Sequence, residues 1–192
     1  MSNKDAAEVT RLLEAGADPN LIRPSGYPIL KTAVLDATES NNYETVRLLL
    51  ENGADVNQLD GSGSSILPVA ADSGQVELVQ LLLDAGADVN GSMSLNVEVF
   101  LLQPLSHAPA ITHAVIGNNA EIVQLLSEHG ADLNQTEVGG YRTALHIAAA
   151  LNRPKIIETL IENGADPDPP GAQTPLQIAA EYKKVDSARA DS

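Results

Sequence analysis

Gly-Ala-Asp-Pro-Asn at residues 16–20 opens a series of five closely related pentapeptides in this 192-residue chain. The series continues as Gly-Ala-Asp-Val-Asn at 53–57 and again at 86–90, Gly-Ala-Asp-Leu-Asn at 130–134 and Gly-Ala-Asp-Pro-Asp at 164–168. Their glycines lie 37, 33, 44 and 34 residues apart. A motif that returns at a nearly fixed period of this length is typical of a stacked repeat, in which one structural unit recurs along the chain.

The unit at residues 58–90 shows what lies between two pentapeptides. A short first helix is predicted there, with Leu67 and the following alanines facing inward; Ser65 can cap its N-terminus and Gly74 ends it. A second helix follows, because apolar residues recur at helical spacing, namely Val76, Val79, Leu82 and Leu83. Each unit is therefore expected to hold a pair of short helices.

Two later units begin their first helix with a recognisable pattern, Thr143-Ala-Leu-His-Ile-Ala-Ala149 and Thr174-Pro-Leu-Gln-Ile-Ala-Ala180. Here the chain resembles the ankyrin-repeat family, whose signature is Thr-Pro-Leu-His-x-Ala. The resemblance covers nearly the whole sequence. It implies an all-α solenoid, with a β-turn and two antiparallel helices in each repeat and about four full repeats between partial caps.

Aligning the units on the pentapeptides divides a single domain, residues 1–192, into repeats. Residues 1–20 are a half repeat, expected to act as an N-terminal cap with its polar side outward, and residues 169–192 are a C-terminal cap. The full units are 21–57, 58–90, 91–134 and 135–168. Unit 21–57 carries four extra residues around 36–42, in a longer first helix or an inter-helix loop, and unit 91–134 carries an insertion at about 91–107, predicted to be an extended finger.

Composition excludes several classes of function. The chain has no cysteine, which excludes disulfides and thiolate metal sites, and no metal or cofactor is expected. No apolar run is long enough to span a bilayer, so we expect a cytoplasmic protein, with the nucleus as the alternative. Residues 48–141 contain twelve acidic residues and no Lys or Arg. This charge argues against nucleic acid as a partner; it is either a solubilising surface or a field that attracts a basic partner.

The leading interpretation is a non-enzymatic module that binds a protein or peptide, since ankyrin-like folds are mostly interaction modules. The resemblance places the binding surface in a concave groove formed by the turns and the ends of the first helices, next to the insertion. Aromatic, apolar and charged side chains on these elements are the candidate contacts. They are Tyr27, Asp72, Phe100, Leu101, Leu102, Ile116, Tyr141, Arg142, Leu151 and Tyr182. Ile116 and Leu151 are expected to make the C-terminal half of the groove apolar.

Two alternatives stay open. A small-molecule site or atypical enzyme could use His113, Tyr141 and Arg142, with Asp72 as an acid/base partner one repeat earlier. The chain is expected to be a monomer, but the apolar run Phe100–Leu102 could instead act as a lid on the scaffold or mediate self-association. His146 occupies the signature position and is expected to form structural hydrogen bonds.

Overall fold

The computed structural model describes residues 3–94, 107–136, 142–169 and 173–180. The described part consists of short helices joined by turns and contains one very short antiparallel sheet. The elements in chain order are α1 (Asn3–Glu14), α2 (Ile29–Ser40), α3 (Glu44–Glu51), α4 (Leu67–Ser73), α5 (Val76–Asp84), β1 (Ser92–Met93), β2 (Ala108–Pro109), α6 (Ala110–Ile116), α7 (Ala120–Glu128), α8 (Ala144–Ala150), α9 (Pro154–Glu162) and α10 (175–180).

The helices form two layers. The first helices of successive units, α2, α4, α6 and α8, pack side by side, and in the other layer α1 packs against α3, α5 against α7 and α7 against α9. Small buried residues such as Ala70 and Ala114 let neighbouring first helices approach closely, while Leu82 and Leu126 fill the space between the layers. The apolar core therefore runs continuously along the stack, as a repeat architecture requires.

Helix lengths show where the extra residues of unit 21–57 lie. Helix α2 has 12 residues, whereas α4, α6 and α8 have seven each. The turn after each first helix has a residue in the left-handed region, and asparagine replaces glycine at three of these positions, as Asn41, Asn118 and Asn152 show. Asparagine tolerates this conformation better than most other residues, which explains why these turns need no glycine.

The pentapeptide joins each unit to the next through side-chain hydrogen bonds. The Asp55 carboxylate accepts from the Asn57 N–H at 2.9 Å, which closes the turn locally. The Asn57 amide then donates to the Gly86 carbonyl at 2.9 Å and accepts from the Asp88 N–H at 2.7 Å, so it bridges to the next pentapeptide. Asn20 makes the same two contacts one unit earlier. The motif thus forms a ladder of amide side chains along the stack.

The ladder continues past the insertion. The Asp132 N–H donates to Asn90 Oδ1 at 2.8 Å, although the two residues are 42 positions apart in sequence. Between them, β1 pairs with β2, with Ser92 opposite Pro109 and Met93 opposite Ala108. Residues 95–106, which include the predicted finger, lie outside the described residues. The insertion therefore leaves and re-enters the stack through a two-stranded base, and the spacing of the units is preserved.

Two local expectations from the sequence were wrong. Ser65 makes no side-chain cap on α4; its hydroxyl instead donates to the Ser92 carbonyl of the next unit at 3.1 Å. A Cβ on Gly91 would lie 2.5 Å from that hydroxyl, so glycine is needed where the two units meet. The outer side of α1 is not wholly polar either, because Leu12 is 45% exposed.

If the ladder holds the units together, Asn57 contributes more to the stability of the fold than an exposed asparagine outside the ladder, such as Asn52. We expect Asn57→Ala to lower the free energy of unfolding by about 1–2 kcal/mol, because two hydrogen bonds between units are lost. Asn52→Ala is the matched control: the Asn52 amide bonds only to Leu48 within its own helix, so its loss should change stability by less than about 0.5 kcal/mol. Urea unfolding of both variants measures the difference, and equal effects would refute the role of the ladder.

Candidate functional site

The groove positions on the first helices lie two or three residues after the signature alanine, which places Leu35 and Ala150 there beside Asp72, Ile116 and Leu151. The structure gives these side chains different environments. Leu35 and Asp72 are exposed, Ile116 and Leu151 are half-buried against the core, and Ala150 is buried. The largest exposed side chains of this surface among the described residues therefore lie in units 21–57 and 58–90. Ile116 and Leu151 remain predicted contacts with smaller accessible areas.

Asp72 and His113 come together across two units, as the alternative interpretation requires. Asp72 Oδ1 lies 3.7 Å from His113 Nδ1, the carboxylate is half exposed, and the ring is 1% exposed. Neither ring nitrogen has a hydrogen-bond partner among the described residues. At 3.7 Å the pair is an electrostatic contact and not a hydrogen bond. The His113 ring therefore lies against the Asp72 carboxylate and is itself inaccessible to solvent.

His146 shows how a buried polar side chain can link two units. The Thr143 N–H donates to His146 Nδ1 at 3.1 Å, completing a capping box at the start of α8. Because Nδ1 accepts this bond, Nε2 carries the proton and donates to the Gln173 carbonyl of the next unit at 2.9 Å. Burial lowers the pKa of His146, the bond to Gln173 opposes this effect, and the positive charge of Arg142 adds to the lowering.

Lys31 occupies the position in α2 that His146 occupies in α8, and it also reaches into the next unit. Its ammonium donates to Asp60 Oδ2 at 2.6 Å and to the Ser65 carbonyl at 3.4 Å, and both side chains of the ion pair are buried. Burial raises the pKa of Asp60, but hydrogen bonds from Lys31, Ser62 and Ser64 outweigh it and hold this pKa well below its usual range. The Asp60 carboxyl is therefore ionised at neutral pH.

An exposed apolar cluster lies on the turn segments of units 21–57 and 58–90, which we call the fingers (residues 21–28 and 58–65). Leu21, Ile22, Tyr27 and Leu59 are each between 43% and 55% exposed. The Gly61 N–H donates to the Gly26 carbonyl at 3.0 Å, and this bond holds the two fingers side by side. Sequence reasoning found only Tyr27; Ile22 and Leu59 occupy the same position in register, where later units have Ser92 and Thr136.

The remaining sequence-predicted site residues are placed as follows. Arg142 is half-buried at the start of α8, near His146. Five candidates lie outside the described residues: Phe100, Leu101, Leu102, Tyr141 and Tyr182. Within the described ranges no three His, Asp or Glu side chains gather as a metal site would require, and no helix there is long and apolar enough to cross a membrane.

Comparison with known proteins agrees with this architecture. The family model for ankyrin repeats, in three copies, matches residues 1–93, 95–171 and 111–190. The chain belongs to the ankyrin-repeat family. Ankyrin repeats are protein–protein interaction modules, a class that includes this chain, and ankyrin-repeat proteins are generally non-enzymatic.

Several ankyrin-repeat relatives align over almost the whole chain. The chicken nuclear factor NF-kappa-B p105 subunit is 34% identical over 90% of this chain, and the mouse B-cell lymphoma 3 protein homolog is 30% identical over 94%. A putative ankyrin repeat protein of fowlpox virus, FPV232, is 34% identical over 95%. The chain spans only 17%, 38% and 36% of these relatives' own lengths, so the similarity concerns their repeat regions.

The ion pair between Lys31 and Asp60 replaces the ankyrin histidine link, and we predict that removing one partner alone is strongly destabilising. Lys31→Met should lower the free energy of unfolding at pH 7 by about 2–4 kcal/mol, because Asp60 is left as a buried, partly unpaired charge. Lys155→Met, at an exposed position on α9, is the control. A double-mutant cycle with Asp60→Asn in urea should give a large coupling energy; simple additivity would contradict the prediction.

His146 makes stability depend on pH in a defined direction. Its pKa in the folded protein lies below the ordinary value of about 6.5, so the neutral ring is favoured by folding, and its contribution is lost as pH falls from about 7 toward 5. We expect His146→Gln to be less stable than the parent at pH 7.5 and to lose less stability on acidification. Urea midpoints measured for both proteins at a series of pH values test this. A constant difference between them across that range would rule it out.

Proposed function

We propose that the chain is a non-enzymatic binding protein and that its N-terminal fingers and concave groove hold a protein segment with apolar and basic side chains. The observation that carries the proposal is the apolar finger cluster of Leu21, Ile22, Tyr27 and Leu59, each about half exposed on two fingers that a Gly61–Gly26 hydrogen bond holds side by side. Exposed apolar surface concentrated in one region of a fold usually marks an interaction site.

The groove beside the fingers supplies the polar part of the proposed surface. Asp72 lies in the last turn of α4, a seven-residue helix about 10 Å long, and Leu59 lies on the finger that precedes this helix in the same unit. A segment bound along the groove is therefore expected to reach both residues. The carboxylate is exposed and pairs with no Lys or Arg among the described residues. With twelve acidic residues and no Lys or Arg between 48 and 141, the charge of this surface favours a basic partner.

The small-molecule or enzymatic alternative has one observation in its favour, the approach of Asp72 to His113. However, both nitrogens of His113 are buried, and a general base must come within hydrogen-bond reach of the proton it removes. Binding of a macromolecular partner through the exposed carboxylate needs no such access. We further propose that this binding takes place in the cytoplasm, with the nucleus as the alternative compartment.

A peptide library displayed on phage tests the proposal directly. When random peptides of about 12 residues, which reach up to roughly 40 Å, are selected on the full chain, we expect enrichment of aliphatic residues together with Lys or Arg. The paired substitution Ile22→Ser and Leu59→Ser should weaken the selected peptides at least about tenfold, since half-exposed apolar anchors are lost. Asp72→Lys should weaken them and remove their dependence on salt.

Ile161→Ser provides the matched control, because Ile161 is similarly exposed but lies on α9, away from the fingers. Peptide affinity should be unchanged in this variant. Selection of acidic peptides, or full affinity in the paired finger variant, would overturn the proposal.

A further inference from the structure

A groove of about 440 Å³ lies in the layer of second helices, between α3 and α5. One residue of α3 and five of α5 line it, namely Arg47, Val76, Glu77, Gln80, Leu81 and Asp84. Among neighbouring second helices, α3 and α5 contact each other least, whereas α7 packs closely against α9. The groove is therefore the place where two second helices separate, and it belongs to a different layer from the concave surface described above.

The longer first helix of unit 21–57 distinguishes this junction from the later ones. Helix α2 has 12 residues and precedes α3, whereas α4 has seven and precedes α5. Gln75, at the start of α5, reaches the extended end of α2, where its amide donates to the Thr38 carbonyl at 2.9 Å and to Asn41 Oδ1 at 2.6 Å. These contacts hold the start of α5 against the end of α2, so the separation of α3 and α5 is part of the folded structure.

The two ends of the groove differ in charge. Toward the start of α5, Arg47 pairs with Glu77 at 2.9 Å, so these two charges compensate each other. Toward the other end, Asp84 accepts a hydrogen bond only from the neutral Gln80 amide, at 2.7 Å. Glu51 lies one turn after Arg47 on α3, and neither it nor Asp84 forms an ion pair with Lys or Arg among the described residues.

The helix dipoles add to the negative charge at that end. Glu51 and Asp84 are the last residues of α3 and α5, and neither helix has a basic residue in its last turn. The carbonyl end of a helix carries partial negative charge, so a carboxylate there is unfavourable and a cation is favourable. The acidic end of the groove is therefore complementary to a positively charged side chain.

The walls of the groove determine which kind of segment it can hold. Both walls are helices, whose backbone groups bond internally, so an extended peptide finds no sheet edge to pair with. A helix satisfies its own backbone and presents apolar side chains at a spacing of three or four residues to such a groove. Val76 and Leu81, which are half-buried against the core, are the apolar surface available to those side chains.

We propose that this groove is a second docking site, which holds an amphipathic helix of a protein partner. Aliphatic side chains of that helix lie against Val76 and Leu81, and a Lys or Arg pairs with Asp84 and Glu51. A second copy of this chain is a poor occupant, because its net charge of −15 repels it from the acidic end. The site does not include the fingers or Asp72, so a partner helix in the groove leaves the concave surface free.

A phage-displayed library of helical peptides tests the proposal. The peptides have about 18 residues, or roughly 27 Å of helix, and are selected on the full chain carrying Ile22→Ser and Leu59→Ser, so that the fingers do not compete. We expect enrichment of sequences with aliphatic residues three or four positions apart and a Lys or Arg beside them. The selected peptides should bind the parent chain equally well, and Asp84→Lys should weaken them at least about tenfold.

Glu128→Lys is the matched control for charge. Glu128 occupies in α7 the position of Asp84 in α5, and it accepts from Gln124 as Asp84 does from Gln80. It makes the same change in net charge, but α7 contributes no residue to the groove. Affinity should therefore be close to that of the parent. An equal loss in Glu128→Lys and Asp84→Lys would mean that the peptides follow diffuse negative charge, and the proposal would be wrong.

A pair of leucines provides the matched test of the apolar surface. Leu81 in α5 and Leu125 in α7 are equivalent, and both are half-buried against the core. Leu81→Ser should weaken the selected peptides, whereas Leu125→Ser should not. Circular dichroism and urea midpoints check that both variants remain folded and lose similar stability, so that a difference in affinity reports on the groove.

Three results would overturn the proposal. The first is a selection without helical, basic sequences, and the second is full affinity in both Asp84→Lys and Leu81→Ser. The third is a parent that dimerises in sedimentation velocity at up to about 1 mM and becomes monomeric in Leu81→Ser, since a second copy would then occupy the groove. Because the peptides are selected on the finger variant, none of these results bears on the finger surface.

Discussion

The side-chain amide at the end of the first four pentapeptides is the contact on which the regularity of this molecule depends. Its oxygen accepts from an N–H of the following turn in all four, and in Asn20 and Asn57 its NH₂ also donates to a carbonyl of that turn. Only asparagine offers both a donor and an acceptor at this reach, which explains why the residue recurs. The amide fixes the distance between adjacent turns, whatever the length of the chain between them. The hydrogen bond from Asp132 to Asn90, across 42 residues, is 2.8 Å long, and the bond from Asp88 to Asn57, across 31 residues, is 2.7 Å long.

A second set of polar contacts links the first helix of one unit to the turn of the next unit. The side chain that makes this contact differs between units. His146 and Lys31 occupy the same position and both bond to the turn of the next unit, one as a neutral ring and the other as a buried ion pair. A buried ion pair has a large desolvation cost, so it contributes less net stability than its short distance indicates. Its main consequence is specificity, because a displaced unit would leave both charges unpaired.

The repeat pattern predicted the fold in detail because every unit repeats the same local signals. The pentapeptide, the alanines of the first helices and the leucines of the second specified the order and the layers of the elements. The approach of Asp72 to His113 was also predictable, since the two residues lie three positions apart in register, or about one helical turn, on the first helices of consecutive units. What could not be read from the units was how exposed each side chain is. Leu12 fits the pattern of a buried leucine, but it is 45% exposed, whereas Leu49, Leu82, Leu126 and Leu160 at the equivalent position are 2% exposed or less.

Ser65 shows a related limit of sequence reasoning. Its hydroxyl is suited to a helix cap, but the close approach allowed by Gly91 offers it a carbonyl of the next unit instead. In a quasi-one-dimensional stack, the environment of a residue is set by the adjacent units as much as by its own. Binding surfaces are therefore expected where a unit differs in sequence or structure from its neighbours. The apolar fingers and the base of the insertion are such places, and the regular units between them hold these surfaces in a fixed relation.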